Sequence, residues 1–235
     1  MEQEPNLQMG SDRVFLRYVH HKTFTVKFPD KCKWQNGFNP DNKVGLVWYA
    51  DGYKTNKGTG TGVYRWCWRR GHNFILGLHP TKFHAEMCIV KARIMENIEK
   101  GYTGKNIYIL SYIQAAIKAL DSFQINSKLI WDCHQLLVKL AEHDRIQLVW
   151  VLGHVGIDGN EIADELARQG SSHPLIGPEP VLGISAKVAR EVIRGWTSRK
   201  HEEHWQSTCG HWHADYFLRK PSATRAGELL NLNRS

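Results

Sequence analysis

The chain has 235 residues, enough for one ordinary domain with a real core and some flanking material. A hydrophobic fraction of 42% and an aromatic fraction of 11% exclude global disorder. No run of about 18 apolar residues exists, so no membrane-spanning helix is expected. The formal charge of +8 fits a polyanionic partner, but the excess is spread thinly along the chain and is weak evidence alone. The polar start, with Glu2 and Glu4, lacks the basic and apolar regions of a secretory signal. The chain therefore reads as intracellular, with nothing that chooses between nucleus and cytoplasm. Five scattered cysteines with no CxxC pair read as reduced thiols, mostly buried.

Residues 1–43 mix short apolar groups with Pro29, Pro40 and the Asn36-Gly37 turn signal. They predict an extended N-terminal connector with at most one short strand, Thr23 to Phe28. From Val44 the texture changes. Val44 to Ala50 is a continuous apolar run. Glycine turns at Gly58, Gly60 and Gly62, and at Arg70-Gly71, separate it from two aromatic and β-branched runs ending near Leu78. Three such runs predict an antiparallel meander. Phe83, Met87, Val90, Ile94 and Ile98 then recur at helical spacing, with Gly101 as a stop.

Ile107 to Leu110 reads as a strand buried on both faces. A short helix from Gln114 to Leu120 and a longer one from Ser127 to Glu142 follow, then a buried strand from Ile146 to Leu152. After the Gly153 to Gly156 loop, Asp158 is expected to cap a last helix, with Glu161 in capping-box position. The order β-β-β-α-β-α-α-β-α predicts an α/β fold, a mixed sheet covered by helices, over residues 44–170. Residues 171–235 read as a linker and a polar tail, helical from Ser185 to Trp196.

The chemistry lies in where the acids fall. Asp51 ends the first apolar strand, and a carboxylate there emerges at the sheet edge. Glu86 lies one turn from Phe83 and Val90, at the border of its helix's buried face. Asp164, between Ala163 and Leu166, is placed similarly. Singly, each would pass as a turn residue or a surface charge. Together they could converge on a hard cation such as Mg²⁺, which takes oxygen ligands.

These residues carry a resemblance. Val47 to Tyr53, reading Val-Trp-Tyr-Ala-Asp-Gly-Tyr, is similar to the "YTDGS" strand end of type 1 ribonuclease H domains. Phe83-His84-Ala85-Glu86 resembles the "QAE" helix start of that family. Ile107 to Leu120 resembles its "SDSQAAIKAL" segment, and Val149 to Leu166 resembles "VWVPGHxGIxGNExADxLA". The wording is closest to the domain that ends the polyproteins of insect-type non-LTR retrotransposons, which also carry a reverse transcriptase. The resemblance implies a five-stranded sheet whose first three strands are antiparallel. It implies Mg²⁺- or Mn²⁺-dependent cleavage of RNA in RNA–DNA hybrids, with four carboxylates holding two metal ions. Asp51, Glu86 and Asp164 match three of those positions. His154 matches a residue that assists proton transfer and product release. Gln114 matches one that reads the minor groove beside 2′-hydroxyls.

The pattern breaks at the fourth acid. In Ser111-Tyr112-Ile113-Gln114, tyrosine stands where the family has aspartate, and a neutral phenol neither supplies the charge nor replaces carboxylate ligation. No acid occurs from Asn106 to Leu120 to substitute for it. Ala50, Tyr53, His84 and Leu152 are milder departures. The expectation is a ribonuclease H-type domain with impaired cleavage. The alternative is a catalytically dead hybrid-binding module or a decayed retrotransposon fragment.

Two further groups remain. His201-Glu202-Glu203-His204 with Cys209, His211 and His213 has the residue types of a zinc site, but its spacing matches no zinc motif and it reads as a solvated tail. Lys54, Lys57, Arg69 and Arg70 lie in turns, where phosphate contact and plain solvation are equal readings.

Overall fold

The computed structural model describes residues 10–35, 43–66, 70–77, 80–153, 156–173, 175, 182–184, 186–208 and 216. Two short strands come first, β1 (Arg13–Tyr18) and β2 (Thr25–Lys27), followed by a one-turn helix α1 (Lys31–Gln35). The meander follows as β3 (Leu46–Lys54), β4 (Thr59–Arg65) and β5 (Arg70–Gly77), paired antiparallel. Then come α2 (Lys82–Glu99), β6 (Asn106–Ser111), α3 (Gln114–Leu120), β7 (Gln124–Ser127), α4 (Lys128–Leu140), β8 (Arg145–Trp150) and α5 (Asp158–Ser172). All of these lie in one compact unit. The helix α6 (Ala186–Ser207) belongs to a separate unit and buries none of its described residues. It runs well past Trp196, where the apolar pattern that predicted it stops.

The main sheet has the order β2-β8-β6-β3-β4-β5, with β6 and β8 parallel to β3 and to each other. Five of the strands are those the resemblance implies. The sixth is β2, which adds to the edge of β8 in parallel and lies inside the segment Thr23 to Phe28. The sequence gives no sign of β1, which pairs with β7 in a separate two-stranded ribbon. β7 occupies the residues just before the long helix, which begins at Lys128 with Ser127 as its cap. The N-terminal segment also reaches the core, since Val19 and Phe24 are buried with the side chains under α2 and α4.

Strand alternation divides the core into two layers. Trp48, Ala50, Ile107, Ile109, Ile146 and Leu148 face α2, α3 and α4. Val47, Tyr49, Leu110, Val149 and Val151 face the side of Ile157 and Ala163, where α5 packs. Two glycines of β4 set how closely α5 lies. A Cβ at Gly60 or Gly62 would run into the backbone of Ala163, Ala167 and Ser171. Only a strand without side chains at these positions lets the helix lie directly on the sheet.

Helix starts differ from expectation in an instructive way. Asp158 does not cap α5. The cap position is Ile157, which makes no side-chain bond, and Asp158 and Glu161 lie in the first helical turn, favourable positions beside the positive end of the helix. Ile157 is buried against the α5-side core, and that anchoring sets the helix start one residue early. The true capping box is at α2. The Thr81 hydroxyl accepts from the His84 backbone N–H at 3.3 Å, and His84 Nδ1 accepts from the Thr81 backbone N–H at 3.2 Å. Histidine here does the capping work of the glutamine found in the related motif. Burial and nearby Lys54 lower its pKa, against an opposing pull from Asp12.

Candidate active site

Asp51 is the last buried carboxylate-bearing position on β3, and alternation turns it to the α5 face with Val47 and Tyr49. Its neighbour Gly52 turns the other way. A Cβ there would press on the Ala85 side chain and the Lys82 carbonyl oxygen, both at 2.8 Å. This bare position lets the first turn of α2 rest on the strand end, and so delivers Glu86 to the same spot. Asp164 arrives from α5, brought down by Gly60 and Gly62. Asp51, at the carboxyl end of β3, therefore lies within electrostatic reach of Asp164 on one side and of Glu86 on the other.

Burial dominates the electrostatics of Asp51 and Glu86. Asp51 is 1% exposed and Glu86 is fully buried. Loss of water pushes the Asp51 carboxyl up to about 8. Lys82 opposes that shift, while Asp164, close enough to hydrogen-bond Asp51, adds to it. Glu86 is held well above the usual carboxylate range by burial, opposed by the Ser111 hydroxyl and raised further by Asp51. Ser111 donates to Glu86 Oε2 and accepts from the Ile113 backbone N–H at 3.2 Å. Asp51 Oδ1 and Glu86 Oε1 have no hydrogen-bond partner among the described residues.

Tyr112 completes the group. Ala50 pairs with Ser111 in the parallel register, so Asp51 and Tyr112 are the next residues along the two strand paths. Tyr112 packs with the α5-side core, on the same side of the sheet as Asp51. Its carbonyl accepts from Trp150 Nε1 at 2.9 Å, which fixes the backbone there, and its hydroxyl is buried without a partner among the described residues.

Two cations that sequence reading missed also lie here. The Lys82 ammonium stands 4.4 Å from the Tyr112 ring centre and 5.9 Å from that of Tyr53. Arg168 pairs with Asp164 at 2.7 Å and lies 5.4 Å from the Tyr53 ring centre. Each cation sits one helical turn from a site acid, Lys82 before Glu86 and Arg168 after Asp164. That i, i+4 spacing is the signal that could have found them.

Gln114 opens α3 and is exposed; His154 lies outside the described residues. Lys54 does not face solvent freely, because its ammonium donates to the Pro80 carbonyl at 2.6 Å. Lys57 is exposed, and Arg69 and the Arg70 side chain are outside the described residues. Of the tail, His201 and His204 are exposed on α6, and Cys209, His211 and His213 are outside the described residues. Among the cysteines, Cys133 is buried, Cys88 half-buried and Cys32 exposed, all free. Cys67 is not described.

The resemblance implies two divalent ions at the acid cluster, and the donor set argues against them. Three carboxylates are met by two resident cations, and the fourth ligand position holds a phenol. Among the described residues no three His, Cys, Asp or Glu side chains stand in an arrangement able to hold a metal ion. The residues present do not fit a two-metal centre.

The family model described as RNase H matches residues 43–172, just over half of the chain. No curated protein matches this sequence.

Proposed function

The chain belongs to the RNase H family, a family of metal-dependent nucleases acting on RNA–DNA hybrids, and we propose that this member binds hybrid with its cleavage centre disabled. The observation that carries the reading is Tyr112, which stands beside the buried Asp51 where the related motif has an acid. Two divalent ions close together need dense negative charge to hold them, and replacing one carboxylate by a neutral phenol weakens at least one site. In an intact site of this family, Mg²⁺ or Mn²⁺ would activate water and stabilise the leaving oxygen. Asp51, Glu86 and Asp164 are read as the remnants of that ligand set, and His154 matches the proton-transfer residue by motif.

Hybrid recognition draws on the rest of the domain, over residues 44–170. Gln114, exposed at the start of α3, is positioned by its motif to reach the minor groove beside 2′-hydroxyls. The motif wording supports an origin in an insect-type non-LTR retrotransposon, next to a reverse transcriptase. The setting is intracellular, and no described helix is long and apolar enough to cross a membrane.

Fluorescence anisotropy with a labelled RNA–DNA hybrid tests this reading. The expected result is binding that weakens steeply with salt and is tighter for hybrid than for duplex DNA of the same sequence. Equal, weak binding to both would contradict it.

A further inference from the structure

The acid cluster carries its own cations, and their placement follows from the two helices that deliver the acids. Lys82 and Glu86 are one turn apart on α2, as are Asp164 and Arg168 on α5. Both cations rest on aromatic faces. Tyr112 carries Lys82 at 4.4 Å, and Tyr53 lies within 6 Å of both Lys82 and Arg168. A ring face attracts a cation at this range, and more strongly where water is scarce. Tyr53 and Tyr112 are both departures from the related motifs, and both hold a cation toward the carboxylates.

We propose that Lys82 and Arg168, stationed on Tyr112 and Tyr53, replace divalent metal ions as the charge partners of Asp51, Glu86 and Asp164. The inference deepens the reading above and rests on it for the claim that hybrid is held. Three formal negative charges face two positive ones, leaving a single negative charge. A divalent ion entering the cluster would meet an ammonium and a guanidinium already present and be repelled by both, most strongly at the buried Asp51 and Glu86 end. The domain should then fold, and hold hybrid, without metal.

Isothermal titration of the full chain with Mn²⁺, alongside thermal melts in Mn²⁺ or EDTA, tests this. The wild type is expected to show no saturable Mn²⁺ binding and coincident melts. Tyr112→Asp alone should bind Mn²⁺ at least tenfold more weakly than Tyr112→Asp combined with Lys82→Met and Arg168→Met. Saturable Mn²⁺ binding by the wild type would overturn the proposal, and that titration needs no variant to fold. Equal affinity in the single and triple variants would also overturn it, because the cations would then exclude nothing. Hybrid anisotropy in EDTA, on the same sample, separates the two readings. Hybrid bound only when Mn²⁺ is supplied defeats this inference and leaves hybrid recognition standing. Hybrid bound in neither condition defeats hybrid recognition, while the titration still judges the cations.

Discussion

The Ser111 hydroxyl donates a hydrogen bond to the buried Glu86 carboxylate, joining the end of β6 to the first turns of α2. Strand alternation makes this contact possible, because Ser111 follows Ile107 and Ile109 onto the α2 face while Tyr112 turns to the other. Glu86 Oε1 already lacks a partner among the described residues, and the Ser111 hydroxyl and the Ile113 backbone N–H are the hydrogen-bond donors that act on the carboxyl. Ser111→Ala should destabilise the fold by about 1–3 kcal/mol, the cost of an unmet buried polar group. Urea denaturation measures it, and an unchanged midpoint would show that Glu86 finds another donor.

The Asp51 carboxyl predicts a pH dependence of definite sign. Its folded pKa, about 8, lies above its ordinary value of 3.8, so the folded state binds the extra proton. Its contribution to stability is present in full below about 4 and is lost as pH rises through about 8. Glu86, raised by burial, acts in the same direction. Among the described residues, Lys82 and Glu86 on α2 and Asp164 on α5 act on Asp51, and Arg168 on α5 pairs with Asp164. Asp51→Asn should flatten the fall in melting temperature across this window, a change on the order of a few kcal/mol at its upper end. Parallel pH profiles of variant and wild type would refute the assignment.

Close packing of α5 on β4 gives a third expectation. Gly62→Ala would place a methyl group against the backbone of Ala163 and Ala167, so the helix must shift. The expected loss is about 1–3 kcal/mol or more, since overpacking a helix backbone cannot be relieved by a rotamer change. Gly10→Ala, which meets nothing within 4 Å, is the control and should be near neutral. Equal melting temperatures for the two variants would contradict the packing account.

The segment before the matched family region is also structural. Asp12 accepts from the Leu129 backbone N–H at 2.9 Å at the start of α4, and Phe24 is buried edge-on against His134. Phe24→Ala should cost about 3–5 kcal/mol, as for other large core truncations. A loss under about 0.5 kcal/mol, typical of surface changes, would mean that residues 10–35 only decorate the domain.

Much of the fold was legible because its signals are periodic. The meander, the 3.6-residue pattern of α2 and the short apolar run of β6 each carry many residues that agree. β2 falls inside the short strand expected at Thr23 to Phe28, whereas β1 carries no such signal: it is largely exposed and defined by its partner, β7. At the site, Asp51, Glu86 and Asp164 were readable from motif wording and element ends, and Asp51 lies near each of the other two. Ser111, Lys82 and Arg168 were not, because a serine before a motif and a basic residue on a helix are common everywhere. Strand alternation turns Ser111 toward Glu86, and only the approach of α2 over Gly52, and of α5 over Gly60 and Gly62, brings Lys82 and Arg168 to the acids. Tyr112 was visible as a missing charge, whereas its service as a platform for Lys82 needed the geometry.

The central claim is that Tyr112 marks a domain that no longer cleaves, and turnover of an RNA–DNA hybrid tests it most directly. Purified chain is incubated with hybrid in Mg²⁺ and in Mn²⁺, beside Tyr112→Asp and an Asp51→Asn control. The account predicts that wild type releases no more product than Asp51→Asn in either metal, and that any gain appears in Tyr112→Asp. Metal-dependent cleavage by the wild type, equal to Tyr112→Asp and abolished by Asp51→Asn, would contradict it.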